Sequence, residues 1–225
     1  MKKKESEFIK RIKTVIPEDM QYSPIINNEK DKVKFIKRCE KIIRSSMEYR
    51  DYITFLKENI DMDRCAFFKN VSSEDTKRVK IEIHHEPFTL YDYVAVVVDK
   101  FQTEGFPLND LSISDEVMEL HYNNKVGLIP LSVTIHKAVH NSNKIVIPLN
   151  MVYGDYAGFL SSPEYESYVD DLYDKLESKI NATKNLTEES FDALKKQFMY
   201  IEMDDVPAVE KQEIETVEAD VKNVA

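Results

Sequence analysis

The sequence predicts an α+β fold, in which a small two-stranded ββα hairpin is embedded in a mainly helical domain. Long segments carry apolar residues at helical spacing, whereas strand-like alternation is confined to short runs. Glycine is scarce, with 4 in 225 residues, so few connections need the backbone conformations that only glycine adopts freely. Hydrophobic residues make up 42% of the chain, which is enough for a core.

Charge is distributed unevenly along the chain, whose formal net charge is −10. The first 50 residues carry 14 Lys and Arg against 8 Asp and Glu, and the last 75 carry 7 against 18. Because phosphate backbones attract basic surfaces, we expect a nucleic acid, most readily DNA, to contact the N-terminal region. The acidic tail could contact a protein partner. The predicted regions are a basic helical region (1–75), the hairpin core with a helical insertion (76–150), a helical region (151–203) and a disordered acidic tail (204–225).

Several classes of protein are excluded by simple patterns. No run approaches the about 20 apolar residues that a membrane-spanning helix needs. The N-terminal charges are followed by no apolar segment, so we expect no secretory signal. Cys39 and Cys65 are far apart, which excludes a cysteine-bound zinc and favours a reducing, cytoplasmic location.

The first predicted elements are helices. A short basic amphipathic segment, Phe8 to Val15, precedes a proline-containing loop. From Asp31 the apolar residues recur at helical spacing, and the pattern continues, as one helix or two, to about Asn59. The lysines on the other faces could lie against nucleic acid, although a solvated charged face is the more common explanation.

A strand comes next. Val79, Ile81 and Ile83 alternate with charged residues, which is the pattern of a half-buried strand. The strand places His84 and His85 at its end, on opposite faces.

Two inserted helices follow the strand. Thr89 and Asp92 form a capping-box signal for a helix that Gly105 closes. After a loop, a second helix is predicted from Ser114 to about Asn123.

The second strand and its helix complete the hairpin. Leu128–Leu131 is predicted to be an edge strand because Pro130 cannot donate to a ladder. Ser132 can cap the next helix, on which His136 and His140 lie one turn apart on the same face.

The C-terminal region is predicted to contain one more strand and two helices. Lys144–Leu149 is the strand, and Ser162-Pro163 is an N-cap with proline at the first helical position. The stripe from Tyr165 to Ile180 could stack on nucleic acid, but core packing or contact with a partner is the commoner use of such a stripe. Leu186–Met203 is the final predicted helix.

All five histidines of the protein lie between residues 79 and 141: His84, His85, His121, His136 and His140. The His84–His85 pair and the His136–His140 pair are each weak evidence for a site when taken alone. The alternative is that they are buried, hydrogen-bonded histidines of the core. Together, on a strand followed by a strand and a helix, they favour a functional site. Three neutral imidazoles can hold a divalent cation, and a fourth can take a proton from water, which together would allow phosphodiester cleavage.

The segment from Val79 to Asn141 resembles the HNH (His-Me finger, ββα-metal) endonucleases, in the colicin-type variant with His-His on the first strand and His-x-x-x-His on the helix. It is also similar to HNH-like proteins of large bacteriophages, for which the cytoplasm would be that of the host. The resemblance implies that His84, His136 and His140 bind one divalent metal ion (Mg²⁺, Mn²⁺, Ni²⁺ or Zn²⁺). It implies that His85 is the general base.

The sequence departs from the HNH pattern in three places. Gly127 stands where the family has an Asn at the head of the second strand; Asn123 or Asn124, just upstream, could serve instead. The connection between the histidine pairs is enlarged to hold two helices, and the Cys-x-x-Cys structural zinc of many members is absent. His121 matches no family position and is expected to be a helix-end or supporting residue rather than a ligand.

Three functions follow from these observations. The first is a metal-dependent endonuclease that hydrolyses DNA phosphodiester bonds. The second is a catalytically weak or inactive protein in which the metal stabilises a nucleic-acid-binding or assembly module. The third is a ribonuclease or a structure-selective nuclease that uses the basic N-terminal helices to position its substrate.

Overall fold

The computed structural model describes residues 26–68, 71–73, 79–141 and 145–184. Within these ranges it contains seven α-helices, two 3₁₀ turns and one two-stranded antiparallel sheet, which confirms the α+β class. The elements are α1 (Glu29–Ser45), α2 (Met47–Asn59), β1 (Ile81–His85), α3 (Leu90–Thr103), α4 (Asp110–Tyr122), β2 (Leu128–Ser132), α5 (Val133–Asn141), α6 (Tyr156–Leu160), α7 (Asp170–Lys184) and the 3₁₀ turns Leu149–Met151 and Glu166–Tyr168.

Three predictions lie outside the described residues. They are the basic segment Phe8 to Val15, the helix Leu186–Met203 and the acidic tail 204–225. Within the described ranges, no helix combines the length and the apolar composition needed to cross a membrane.

Helices α1 and α2 are separate because of Ser46. Its extended backbone ends α1, and its side chain accepts a hydrogen bond from the Tyr49 amide to begin α2. Helix α1 buries an apolar stripe against α3 and α4, while Lys32 pairs with Asp99 and Arg38 pairs with Asp110. Part of the basic face of α1 therefore serves packing between helices.

The inserted helices α3 and α4 fill the main core beside the sheet. The predicted capping box of α3 is confirmed, since Thr89 and Asp92 exchange both hydrogen bonds. The predicted start of α4 at Ser114 is wrong by one turn. The helix begins at Asp110 because the Asn109 side chain accepts from the Ser112 amide and caps it there.

The two strands separate two hydrophobic cores. In the antiparallel register His84 lies opposite Ile129 and His85 lies opposite Leu128, and such partners share a face of the sheet. Leu128 belongs to the large helical core, whereas Ile129 belongs to a smaller core that includes Ile135 of α5. The two histidines of β1 consequently face different halves of the molecule.

Two predictions in the C-terminal region are wrong. Residues 145–148 form no strand, and Leu149 begins a 3₁₀ turn; Ile145 and Ile147 pack into the smaller core instead. The helix predicted from Pro163 begins at Asp170, after the 3₁₀ turn, because Tyr165 and Val169, on either side of that turn, are both buried in the core. Helix α6 was not predicted, and its short length gives little periodicity to detect.

Candidate metal centre

Three histidines converge on one face of the hairpin. His84 from β1 and His136 and His140 from α5 each offer a ring nitrogen, and the three nitrogens lie within 4.8 Å of one another. The Nε2 atoms of His136 and His140 are 3.1 Å apart, as expected for imidazoles one helical turn apart. The ring centroid of His84 lies 5.0 Å from that of His136 and 5.1 Å from that of His140.

Glu82 fixes the orientation of one of these rings. It lies two residues before His84, on the same face of β1, and its Oε2 atom is 2.7 Å from His136 Nδ1. Hydrogen bonds from Lys80 and His136 lower the pKa of the Glu82 carboxyl group, which keeps it ionised. With Nδ1 bonded to a carboxylate, His136 presents Nε2 to the cluster, and such a contact also makes the imidazole a better metal ligand.

The donor set fits a transition-metal ion. Metal–nitrogen bonds of about 2.0–2.1 Å in a tetrahedral site place the ligand nitrogens roughly 3.4 Å apart, close to the separation of His136 and His140. Imidazole suits Zn²⁺, Ni²⁺ and Fe²⁺, whereas Mg²⁺ prefers oxygen ligands. Within the described residues, no carboxylate joins the three imidazoles in the group of converging donors.

A cleft of about 520 Å³ opens beside the cluster, between the end of β1 and helix α7. His84, His85 and His140 line one side of it, and Lys175 and Lys179 line the other. Helix α7 is held to this side by two ion pairs that join its lysines to buried carboxylates.

Glu86 links the imidazole cluster to α7. The Glu86 side chain is 2% exposed, and its two oxygens lie 3.4 Å from His84 Nε2 and 2.6 Å from Lys179 Nζ. Burial alone would raise the pKa of Glu86, but the contacts with His84 and Lys179 outweigh it and hold that pKa below its usual value. One turn earlier on α7, Lys175 pairs with buried Asp92.

His85, the predicted general base, lies on the opposite face of β1 from the predicted ligand His84. It is 4% exposed, stacks on Tyr49, and its Nε2 atom is 3.2 Å from Nε2 of His121. The Nδ1 atom of His121 is 2.8 Å from the Val117 carbonyl oxygen. Burial lowers the pKa of His85 well below 6.5 and that of His121 to about 4, so both rings are neutral at neutral pH.

The Gly127 position explains the departure from the HNH pattern. A Cβ atom at Gly127 would lie 1.9 Å from the Glu86 carbonyl oxygen, so an Asn cannot occupy this site without moving the backbone. The backbone itself makes the connection: the Glu86 amide donates to the Gly127 oxygen, and the Gly127 amide donates to the Tyr93 hydroxyl. The loop after His85 is therefore held by a main-chain hydrogen bond and by the Tyr93 hydroxyl.

The structure brings His84, His136 and His140 together as expected, and it places His85 behind them on the other face. Sequence reasoning missed Glu82 and Glu86 and assigned no specific contact to His121. The period-2 alternation of β1 could have identified Glu82, since it places that residue beside His84. Neither the contact of Glu86 with α7 nor that of His121 with His85 has any local signal in the sequence.

The fold and the site together define a class: a mainly helical α+β protein with a histidine-bearing ββα hairpin. The chain belongs to the bacteriophage G278-like virion protein family, whose model matches residues 1–213. The match supports a phage origin and a place in the virion. Neither a curated protein nor a solved structure matches the chain.

Proposed function

We propose that this virion protein is a metal-dependent endonuclease of the HNH type, which hydrolyses DNA phosphodiester bonds at the His84–His136–His140 cluster. One observation carries the proposal. Three imidazole nitrogens converge within 4.8 Å on a strand–strand–helix hairpin, at the side of an open cleft. Such an arrangement leaves positions on a bound cation for substrate oxygens.

Each residue has a role in this reaction. A bound divalent cation would stabilise the negative charge on the phosphoryl and leaving oxygens. His85 takes a proton from a water molecule while the water oxygen forms a bond to phosphorus. The bond from phosphorus to the leaving sugar oxygen breaks, and that oxygen takes a proton from solvent. Glu82 holds His136 in its ligand orientation throughout.

Helix α1 supports the proposed contact with DNA. Lys37, Lys41 and Arg44 form an exposed basic surface near the end of α1. A surface of this charge attracts a phosphate backbone, which supports a contact between DNA and this end of α1.

A plasmid-nicking assay tests the proposal. Supercoiled plasmid is incubated with the metal-free protein and Mg²⁺, Mn²⁺, Ni²⁺ or Zn²⁺ in turn. We expect nicking with at least one transition metal, and a loss of about 10²-fold or more in His85→Ala. Asn141→Ala, an exposed position at the end of the same helix as His140, is the control. The absence of nicking with every metal, or undiminished nicking by His85→Ala, would contradict the proposal.

A second function is favoured by a different observation. His85 is 4% exposed and packed between aromatic rings, which is the environment of a structural residue. On this alternative the cation only stabilises the hairpin, and the protein serves virion assembly. Metal binding that raises the melting temperature without nicking on linear, branched or single-stranded DNA or RNA would favour it.

A further inference from the structure

The contact between His85 and His121 determines where the proton of each ring resides. A backbone carbonyl can only accept a hydrogen bond, so Nδ1 of His121 must donate to the Val117 oxygen 2.8 Å away. His121 is neutral, and its single ring proton is therefore on Nδ1. Its Nε2 atom carries a lone pair and can only accept.

The tautomer of His121 in turn constrains His85. Its Nε2 atom lies 3.2 Å from that lone pair, so Nε2 must be the donor. A neutral His85 that is protonated on Nε2 is unprotonated on Nδ1. His85 is also one of the residues that line the cleft beside the imidazole cluster.

We propose that His121 sets the tautomer of His85, keeping the proton on Nε2 and leaving Nδ1 as the nitrogen that accepts a proton in the cleft. His121 is thus a positioning residue, which orients a neighbouring ring and touches no substrate. The catalytic use of Nδ1 rests on the proposed endonuclease function, whereas the tautomer itself does not.

The surroundings of His121 are built to hold this ring in place. It is 1% exposed, and the rings of Tyr49 and Tyr52 pack against it edge to face, with ring centroids 5.8 and 5.4 Å from its own. The Tyr52 hydroxyl also donates to the His121 carbonyl oxygen. Since rotation of the imidazole would leave the Val117 contact unmade, the packing and the hydrogen bond specify one orientation.

Nitrogen NMR of the full-length protein tests the proposal directly. The protein has only five histidines, so two-bond ¹H–¹⁵N spectra of histidine-labelled protein can be assigned by single substitutions. With Zn²⁺ present, at neutral pH, we expect His85 protonated on Nε2 and His121 protonated on Nδ1. Observation of His85 protonated on Nδ1 would overturn the proposal.

Two substitutions of His121 make the test causal. His121→Phe keeps an aromatic ring but removes the acceptor, and His85 should then populate both tautomers. His121→Gln restores an acceptor oxygen and should restore the Nε2-protonated form. Tyr52→Phe, which alters another contact of the same ring, is the control and should leave the tautomer unchanged. An unchanged His85 tautomer in His121→Phe would refute the dependence on His121.

Nicking kinetics separate this inference from the proposed function. If wild-type protein nicks DNA, His121→Phe should lower kcat by about 10²-fold with KM and bound metal unchanged, and His121→Gln should recover much of the loss. An unchanged kcat in His121→Phe would overturn the positioning role. If wild-type protein does not nick DNA, the endonuclease proposal fails, and the NMR spectra alone decide whether His121 sets the tautomer.

Discussion

The two faces of β1 hold histidines in opposite environments. On one face, His84 meets His136 and His140 beside an open cleft, with Glu82 and Glu86 in contact. On the other face, His85 and His121 are enclosed by tyrosines.

The difference shows how one strand can use the same side chain in two ways. Converging nitrogens with carboxylates behind them favour a cation, because the carboxylates orient the rings and support positive charge. Nitrogens that share one proton inside an aromatic core favour a fixed neutral tautomer, because burial disfavours the protonated form. Each face can be altered without touching the other.

Acidification should produce the largest effect, and it acts on the buried face. Unfolded histidine titrates near 6.5, whereas His121 in the folded protein titrates at about 4. Between these pH values the unfolded state binds more protons than the folded state. The contribution of His121 to the free energy of unfolding is therefore fully present above pH 6.5 and is lost as the pH falls towards 4. His121 alone should contribute a loss on the order of 3 kcal/mol.

Urea unfolding at several pH values between 7 and 4 measures this loss. His121→Phe should reduce the pH dependence, whereas His140→Ala, which removes an exposed ring from the other face, should change it little. Equal pH dependence in wild type and His121→Phe would show that the buried pair does not control acid stability.

Replacing Gly127 should have the next largest effect. This residue lies directly before β2, and its backbone is hydrogen-bonded to Glu86, directly after β1. Gly127→Asn introduces the residue that HNH proteins carry at the head of the second strand, but it drives a Cβ atom into the Glu86 carbonyl. We expect a loss of about 3 kcal/mol in the free energy of unfolding. Gly105→Asn is the control: its φ is +73°, which Asn tolerates, and nothing lies within 4 Å of an added Cβ. A Gly127→Asn protein that is as stable as the wild type and nicks plasmid faster would contradict this account of the loop.

Glu82→Gln should weaken the metal centre while leaving the buried face intact. The Gln side chain has nearly the same size but no charge, so it orients His136 less firmly and makes it a poorer ligand. We expect metal affinity to fall by about 10- to 100-fold in a competition titration with a chelator and Co²⁺. Glu116→Gln, which alters contacts with Lys100 and Tyr165 rather than a contact of His136, should leave the affinity unchanged.

Lys179→Met should produce the smallest effect. Its removal leaves buried Glu86 without its nearest positive charge, and the pKa of Glu86 should rise. A loss of about 1–2 kcal/mol is expected in thermal or urea unfolding. Lys184→Met, on the same helix, removes an exposed hydrogen bond to Asn181 and should cost less. Equal effects of the two substitutions would mean that α7 is not fastened through Glu86.

Local signals predicted most of the elements that carry the site. The alternation around Ile83 identified β1, the Thr89–Asp92 capping box identified α3, and Ser132 was correctly placed before α5. The predicted start of α7 is wrong because the burial of Tyr165 in the core outweighs the Ser162-Pro163 start signal.

The site was less predictable than the fold, because several of its contacts join residues far apart in the chain. Spacing placed His136 and His140 on one helix face, but no local pattern links His85 to His121, 36 residues away. Glu86 and Lys179 are separated further still, and their contact depends on how α7 docks against the end of β1.

Metal binding by the purified full-length protein tests the central claim most directly. Calorimetric titration with Zn²⁺, supported by elemental analysis, should find one cation per chain in the wild type. Binding should be lost in His84→Ala and His136→Ala and kept in His121→Phe, which alters only the buried face. A wild-type protein that binds no transition metal, or a His136→Ala protein that binds it equally well, would contradict the claim that these three imidazoles form a metal centre.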